Sequence, residues 1–478
     1  MIEPQEAVER ALAVSRSDDC VVIAEETSGA NLRWAGNTLT TNGVSRSRQL
    51  TVIAIDRRGE GASAGIISRA GVRPDQVEEV VREAEHAAAE ATPAEDAAPL
   101  PGADQAGSFG IRSDEPRWDS PPGQTEIGVL RDFAAALGET LREAQAADRK
   151  LYGFAEHELV STFLGTSGGL RRRYDQPAGR VELNAKSGDL TRSAWTGTAT
   201  RDFTDVDIAG LDAGLSERLD WAKRSITLPA GRYETLLPPT AVSDLMIYLY
   251  WSAGARDAAD GRTVFSKAGG GTRVGERLST QPVTLSSDPL ATGLGCAPFV
   301  VAHASGPDSS VFDNGLALSS TAWIQDGSLA ALHSSRHSAA LAGLPATPAI
   351  DNLIFAVHTS GAASTSEAGA PTLAEMIAST GRALLLTCLW YIREVDPQVL
   401  LLTGLTRDGV YLVEDGEVVG AVNNFRFNES PVGMLGRLLE VGATVPTLPR
   451  EWGDYFNRAA MPPVRVEGFN MSSVSQAS

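Results

Sequence analysis

Hydrophobic and polar positions alternate along this chain in a way that predicts blocks of helix followed by blocks of strand. Residues 4–16 read as a helix, with Val8, Ala11, Leu12 and Val14 available for one apolar stripe. Short β-rich runs follow at 20–26, 30–35, 49–55 and 64–68, separated by Gly, Asn and charged turns. Helical spacing returns over 74–91 through Val77, Val80, Val81 and Ala84. This helix–sheet–helix pattern predicts an N-terminal domain over 1–92. Six prolines between positions 92 and 124, with many Ala, Gly and Asp, predict a linker or long surface loop over 93–125.

A central α+β domain is expected over 126–232. It opens on an amphipathic helix at 127–147, carried by Val129, Leu130, Phe133, Leu137 and Leu141. Strand-like runs follow at 151–164, 179–185 and 193–200, then a helix at 205–224. The remainder, 233–478, starts with an apolar helix at 240–253. Strands are predicted at 294–302, 322–324, 383–392, 399–404, 410–414, 417–422 and 464–469, with a shorter helix at 373–379. Asp408-Gly409 and Asp415-Gly416 suit hairpin turns. The expected class is α+β: the N-terminal helix–sheet–helix domain, then a large, mostly antiparallel, β-rich C-terminal domain.

Composition narrows the function classes. Lys and Arg number 41 against 60 Asp and Glu, a net charge of −19. A surface that acidic repels phosphate backbones, which argues against a nucleic-acid partner. Cys20, Cys296 and Cys388 are too few and too scattered for a disulfide framework and fit a reducing cytoplasm. Positions 1–16 lack a signal-peptide apolar core, and no apolar stretch reaches the roughly 18 residues that cross a bilayer. A cytoplasmic protein with no membrane partner is expected.

Candidate chemistry is sparse. A hydrolytic zinc helix needs two histidines one turn apart with a glutamate between them. His157-Glu158 begins such a motif, but Ser161 and Thr162 follow where the second histidine is needed. His333 and His337 are spaced to share a helix face, yet Ser334-Ser335-Arg336 offers no general base and Arg336 repels a cation. Two partly exposed helix histidines are the expectation there. His86, His303 and His358 stand alone, so no metal ligand is assigned. Gly165-Thr166-Ser167-Gly168-Gly169 fits the G-x-S-x-G pattern of a serine nucleophile, which requires a strand-to-helix turn. Residues 170–177 do not read as a helix, so a glycine-rich hairpin is expected. Residues 268–275 lack the lysine of a phosphate loop and read as a mobile surface loop able to cover a cleft. Arg171, Arg172 and Arg173 read as a solvated strand face. Asp313-Asn314-Gly315 and Asn423-Asn424 suit turns.

Several segments in fixed order resemble the TldD/PmbA (TldD/TldE) family of metallopeptidases. They are LPPTAVSDL from Leu237 to Leu245, DGRTVFS from Asp260 to Ser266, SVFDNG from Ser310 to Gly315, and LTGL from Leu402 to Leu405. Then come DGE from Asp415 to Glu417, VNNFRFNES from Val422 to Ser430, and VRVEGFNMSS from Val464 to Ser473. The N-terminal helix–strand block is also similar to that family's first domain. The resemblance implies a dimer of related subunits enclosing a chamber, one subunit holding zinc through an H-E-x-x-x-H helix and a cysteine near its C-terminus. An ungapped match places Met246, Ile247 and Trp251 at the three helix positions. Residues 240–253 contain no His, Cys or Glu, and no cysteine follows Cys388. The chain therefore looks like the PmbA/TldE type, which lacks the zinc motif.

This resemblance implies the non-metal-binding subunit of a cytosolic peptidase acting on unfolded or short peptides. No cofactor is expected on this chain, and zinc is expected in a TldD-like, metal-bearing partner. Motif position marks Asp313, Asn314 and Asn424 as candidate substrate-binding residues. One alternative is a self-dimer that binds peptides, or assists peptide or natural-product maturation, without proteolysis. Another is a metal-independent serine hydrolase using Ser167.

Overall fold

The computed structural model describes residues 2–59, 61–102, 117–357 and 369–475. Part of the expected linker (103–116) and His358 lie outside the described residues.

Helix α1 (Pro4–Val14) buries Ala7, Val8 and Ala11, with Leu12 and Val14 of the expected stripe half-buried, and helix α2 (Val77–Glu90) buries Val77, Val80, Val81, Ala84 and Ala88. Both rest on a sheet built from β1 (Asp19–Ala35), β2 (Thr38–Arg58), β3 (Gly61–Ala70), β4 (Arg149–Thr166), β5 (Arg171–Ser187) and β6 (Ser193–Thr200). The strand order is β3-β2-β1-β4-β5-β6 and every pairing is antiparallel. β1 pairs with β4 from Val21↔Thr166 to Trp34↔Gly153. The sheet thus runs without a break across the blocks 1–92 and 126–232.

Alternation assigns the two faces of this sheet. Cys20, Val22 and Ala24 of β1 meet α1 and α2. Ala30, Leu32 and Trp34 lie on the same face and meet α3 (Arg131–Ala146) and α4 (Ile208–Trp221). α2 approaches β3 so closely that a Cβ on Gly65 would stand 2.1 Å from Ala84 O. On the opposite face, Val21, Ile23, Ile53, Ile55 and Leu164 pack against Phe299, Val311 and Phe312. Farther along, that face carries Gly29, Asn31, Ser45, Glu156, Glu158 and Arg180 around a cavity of about 210 Å³.

Two further sheets form the C-terminal half. One contains Thr321–Gln325, Val283–Ser287, Leu353–Val357 and Ala459–Met461; the other runs from Leu389–Asp396 through Val464–Val474 and Gly231–Leu237 to Ser225–Ile226. Helix α5 (Pro239–Trp251) lies between them and touches strands of both. The largest core surrounds it.

Several expected strands have other shapes. Residues 294–302 form no strand: Gly293, Gly295 and Pro298 interrupt the run, and a single bridge, Phe299↔Ala317, remains. The run 383–392 is two strands, Arg382–Leu386 and Leu389–Asp396, parted at Thr387, whose N–H donates to Gly409 O at 2.8 Å. The strand expected at 179–185 extends back to Arg171 despite Pro177. β6 reaches only to Gly179, so the N–H that Pro177 lacks falls on an open edge.

Candidate functional site

Helix α5 holds the positions at which the resemblance places metal ligands. Met246 and Ile247 are wholly buried in the core between the sheets. Trp251, at the last turn, is 39% exposed. Its ring stacks edge-on against Trp452 at 5.2 Å and Phe456 at 6.3 Å. Tyr248 packs on Trp452 at 5.6 Å, and Tyr250 on Trp323 at 5.2 Å. Positions 246, 247 and 251 supply no nitrogen, oxygen or thiolate donor, so they do not fit a zinc ion. Burial pushes the thiol of Cys20 up to about 11 and those of Cys296 and Cys388 up to about 12, so none is a thiolate near neutrality.

The one acid of α5, Asp244, is fully buried, and burial raises its carboxyl well above the usual range. It accepts from Glu451 N–H at 2.9 Å and Arg450 N–H at 3.3 Å, while its main-chain carbonyl accepts from Trp452 Nε1 at 2.9 Å. Asp244 therefore fixes the turn at 450–454 rather than a ligand. The other side of that turn reaches the first sheet. Arg450 Nη1 meets Glu182 of β5 at 2.8 Å, with its guanidinium between Trp390 (4.2 Å) and Trp195 (4.8 Å). Arg180 pairs with Glu156 at 2.6 Å and with Asp454. The polar face of the first sheet is thus closed at one end by residues 450–454, and the ≈210 Å³ cavity lies between them.

His157 and Glu158 are neighbours on strand β4, so they point to opposite faces of the sheet. His157 is buried; its Nδ1 lies 2.8 Å from Thr125 Oγ1 and its Nε2 2.8 Å from Arg201 O. Glu158 borders the cavity, where burial and the adjacent Glu156 raise its carboxyl. His333 and His337 do not share a helix as expected, because the helix there is Arg336–Ala342, capped by Ser335. His333 bridges to Gly254 instead.

Asp313 is buried and accepts from Arg336 Nε at 2.6 Å and from Arg336 N–H at 2.9 Å. It lines a second cavity, about 470 Å³, with His303 and Asp308. Asn314 is fully buried. Its amide accepts from Ala302 N–H at 2.7 Å and donates to Ala302 O (2.8 Å) and Val311 O (3.0 Å), joining two segments that no strand ladder joins. Asn424 is remote in the topology, before the strand Phe425–Glu429, with Thr406 Oγ1 donating to its Oδ1 at 3.4 Å. The structure brings Asp313 and Asn314 together and leaves Asn424 elsewhere.

Ser167 sits in the β4–β5 turn, with Gly169 at φ 88° and no helix behind it. Its Oγ accepts from Cys20 N–H at 3.0 Å. The arginines after it differ from the solvated face expected. Arg171 pairs with Glu9 at 2.6 Å, and the nearly buried Arg173 donates to the carbonyls of Arg117, Ser120 and Pro121 and stacks on Phe163 at 4.7 Å. The glycines at 269–271 turn tightly at positive φ, Lys267 N–H reaching Gly271 O at 2.9 Å. No local signal marks the Arg180–Glu182–Arg450 junction, in which Glu182 and Arg450 are 268 positions apart.

An α+β chain whose central helix is packed between two sheets defines a recognisable class. The model for the PmbA/TldA metallopeptidase C-terminal domain matches residues 230–473. The chain belongs to the TldD/PmbA/TldE family, which is metallopeptidase-like. No curated protein matches it. Among solved structures it is similar to TldE from Thermococcus kodakarensis (16% identity, TM-score 0.74, 97% of this chain and 98% of that one). It is also similar to two proteins described as proposed modulators of DNA gyrase. One, from Thermotoga maritima, shows 16% identity and TM-score 0.75 over 98% and 99% of the chains. The other, from Bacteroides thetaiotaomicron, shows 14% identity and TM-score 0.76 over 98% of each.

Proposed function

We propose that this chain is the non-metal-binding subunit of a cytosolic, two-subunit peptidase acting on unfolded or short peptides. The observation that carries the reading is the packing of α5. Where the resemblance puts His, Glu and His, this chain has Met246 and Ile247 sealed in a core and Trp251 stacked on Trp452 and Phe456. Zinc and the bond-breaking step then belong to a TldD-like sister. This chain contributes the polar face of its first sheet, whose Glu156, Glu158 and Arg180 side chains border a cavity open to a peptide's polar groups. The three free, buried cysteines accord with a reducing compartment. No described helix is long and apolar enough to cross a membrane.

Co-expression with the sister chain tests this. The expected outcome is a stable heterodimer with chelator-sensitive peptide cleavage, and neither zinc nor cleavage in the purified chain alone. Stoichiometric zinc and cleavage by the chain alone would refute it. A stable self-dimer that ignores the sister would favour a peptide-binding accessory instead.

A further inference from the structure

The helix-covered side of the first sheet holds a polar cluster with no part in the peptidase reading. β4 places His157 on that face, in line with Leu151 and Ala155 of the core beneath α3 and α4. The segment 121–126 crosses the sheet there, and its backbone is pinned twice. Gly123 N–H donates to Ser161 Oγ and Thr125 N–H to Ser28 Oγ, both at 2.9 Å. Thr125 is thereby held with its hydroxyl on His157. The pair lines a cavity of about 490 Å³ with Gln124, Gly128, Leu159 and Arg201, a volume within the range that takes a small molecule.

Hydrogen bonding leaves one arrangement for the protons. Arg201 O can only accept, so His157 Nε2, which faces it at 2.8 Å, carries the hydrogen of the neutral ring. Nδ1 is then a bare lone pair, and the Thr125 hydroxyl, 2.8 Å away, must donate to it. A hydroxyl thus points at a base whose far nitrogen is fixed by a third group, which is the order of parts in nucleophilic catalysis. Two further features suit the charges that such chemistry creates. Asp202 lines the same cavity; the Thr204 hydroxyl and N–H, and then the charges of Arg201 and His157, hold its carboxyl below the usual range. A carboxylate therefore lies near the imidazolium that would form. Helical residues 127–130 begin beside Thr125 and run on into α3, and Glu126 gives them no side-chain cap. The N–H groups of that first turn, with Gly128 at the cavity, are placed to receive an oxyanion.

We propose that Thr125 and His157 form a second catalytic centre, one that hydrolyses small carboxylic esters. Thr125 Oγ attacks the ester carbonyl carbon as its proton passes to His157 Nδ1, and the carbonyl electron pair moves onto oxygen. The pair returns, the C–O bond to the alcohol breaks, and the alcohol leaves with the proton from Nδ1. Water then adds to the acyl-threonine, giving a proton to Nδ1, and the acid departs as Thr125 Oγ takes that proton back. A neutral carbonyl steadies the imidazolium less than a bonded carboxylate does, so esters, whose alcohols leave more readily than amines, are the fitting substrates. This centre uses neither zinc nor the sister chain and stands independently of the peptidase reading.

The test uses the purified full-length chain. A fluorophosphonate should lose fluoride and leave one phosphonyl group on Thr125, located by peptide mass mapping. The same chain should turn over p-nitrophenyl acetate. Thr125→Val keeps the shape without the nucleophile, and His157→Gln can still donate to Arg201 O; each should lower that rate about a hundred-fold or more. A chain that takes no phosphonyl group at Thr125 would overturn the proposal, as would a folded Thr125→Val variant that hydrolyses the ester as fast as the parent. Labelling is read on the unaltered chain, so it decides the matter even where a variant fails to fold.

Discussion

Glu25 shows how one side chain can tie two parts of the chain together. It lies on β1, with His303 Nε2 at 3.5 Å and Thr162 Oγ1 donating at 3.1 Å, while His303 Nδ1 reaches Thr51 Oγ1 at 3.2 Å. Burial pushes the Glu25 carboxyl up, but hydrogen bonding and charge from His303, with the Thr162 hydroxyl, together outweigh it and hold it below the usual range. A depressed carboxylate stabilises the fold above its unfolded pKa of about 4.3, and that contribution disappears as pH falls through the lower folded value. Glu25→Gln should therefore lower the melting temperature at pH 7, with the gap to the parent closing below about pH 4 in a pH series of thermal melts. Ser167 presents the opposite case, a motif residue with a local job. Ser167→Ala should cost about 1 kcal/mol or less of stability and leave cleavage by the assembled complex unchanged. Lost activity without lost assembly would make Ser167 a nucleophile.

At the scale of elements, α5 decides what the chain can do. Its buried residues face two sheets at once, so restoring ligands is not a matter of three substitutions. Ile247→Glu puts a carboxylate into a core with no partner, a change worth on the order of 3–5 kcal/mol. The combined variant Met246→His, Ile247→Glu, Trp251→His should bind no zinc by metal analysis and should lose most of its soluble yield. A folded, zinc-loaded variant would show that the helix is a disabled site rather than a packing element. The helix at 240–253 was legible in the sequence because its apolar residues run all round, the mark of an element covered on every side. Residues 294–302 were misleading for a related reason: an apolar run looks alike whether it forms a ladder or threads between sheets, and glycine with proline settled it as a loop.

For the whole molecule, the junction between the first sheet and residues 450–454 matters most. Arg450 is held by Glu182 and two tryptophans, and Arg180 by Glu156 and Asp454. Arg450→Ala should cost about 2 kcal/mol, since the pair is partly reached by solvent, and should broaden thermal unfolding as the two halves begin to melt separately. An unchanged, single sharp transition by calorimetry would mean that other contacts couple them.

Short-range pattern settled much of this protein. Helical stripes, the positions of β6 and of the hairpin strands 410–414 and 417–422, and the apolar character of α5 follow from local runs and the turn residues between them. The succession of helical and strand-like runs gave the α+β class, and the order of the family segments added the kinship. Tertiary structure alone decided that β1 joins β4, that Arg173 and Asn314 serve backbone carbonyls, and that, among the described residues, β3 pairs with β2 only from Gln49 to Arg58. Those outcomes depend on partners more than a hundred positions away for β1 and β4, more than fifty for Arg173 and twelve for Asn314 with Ala302, or on where a neighbouring strand stops, and no local periodicity carries either quantity.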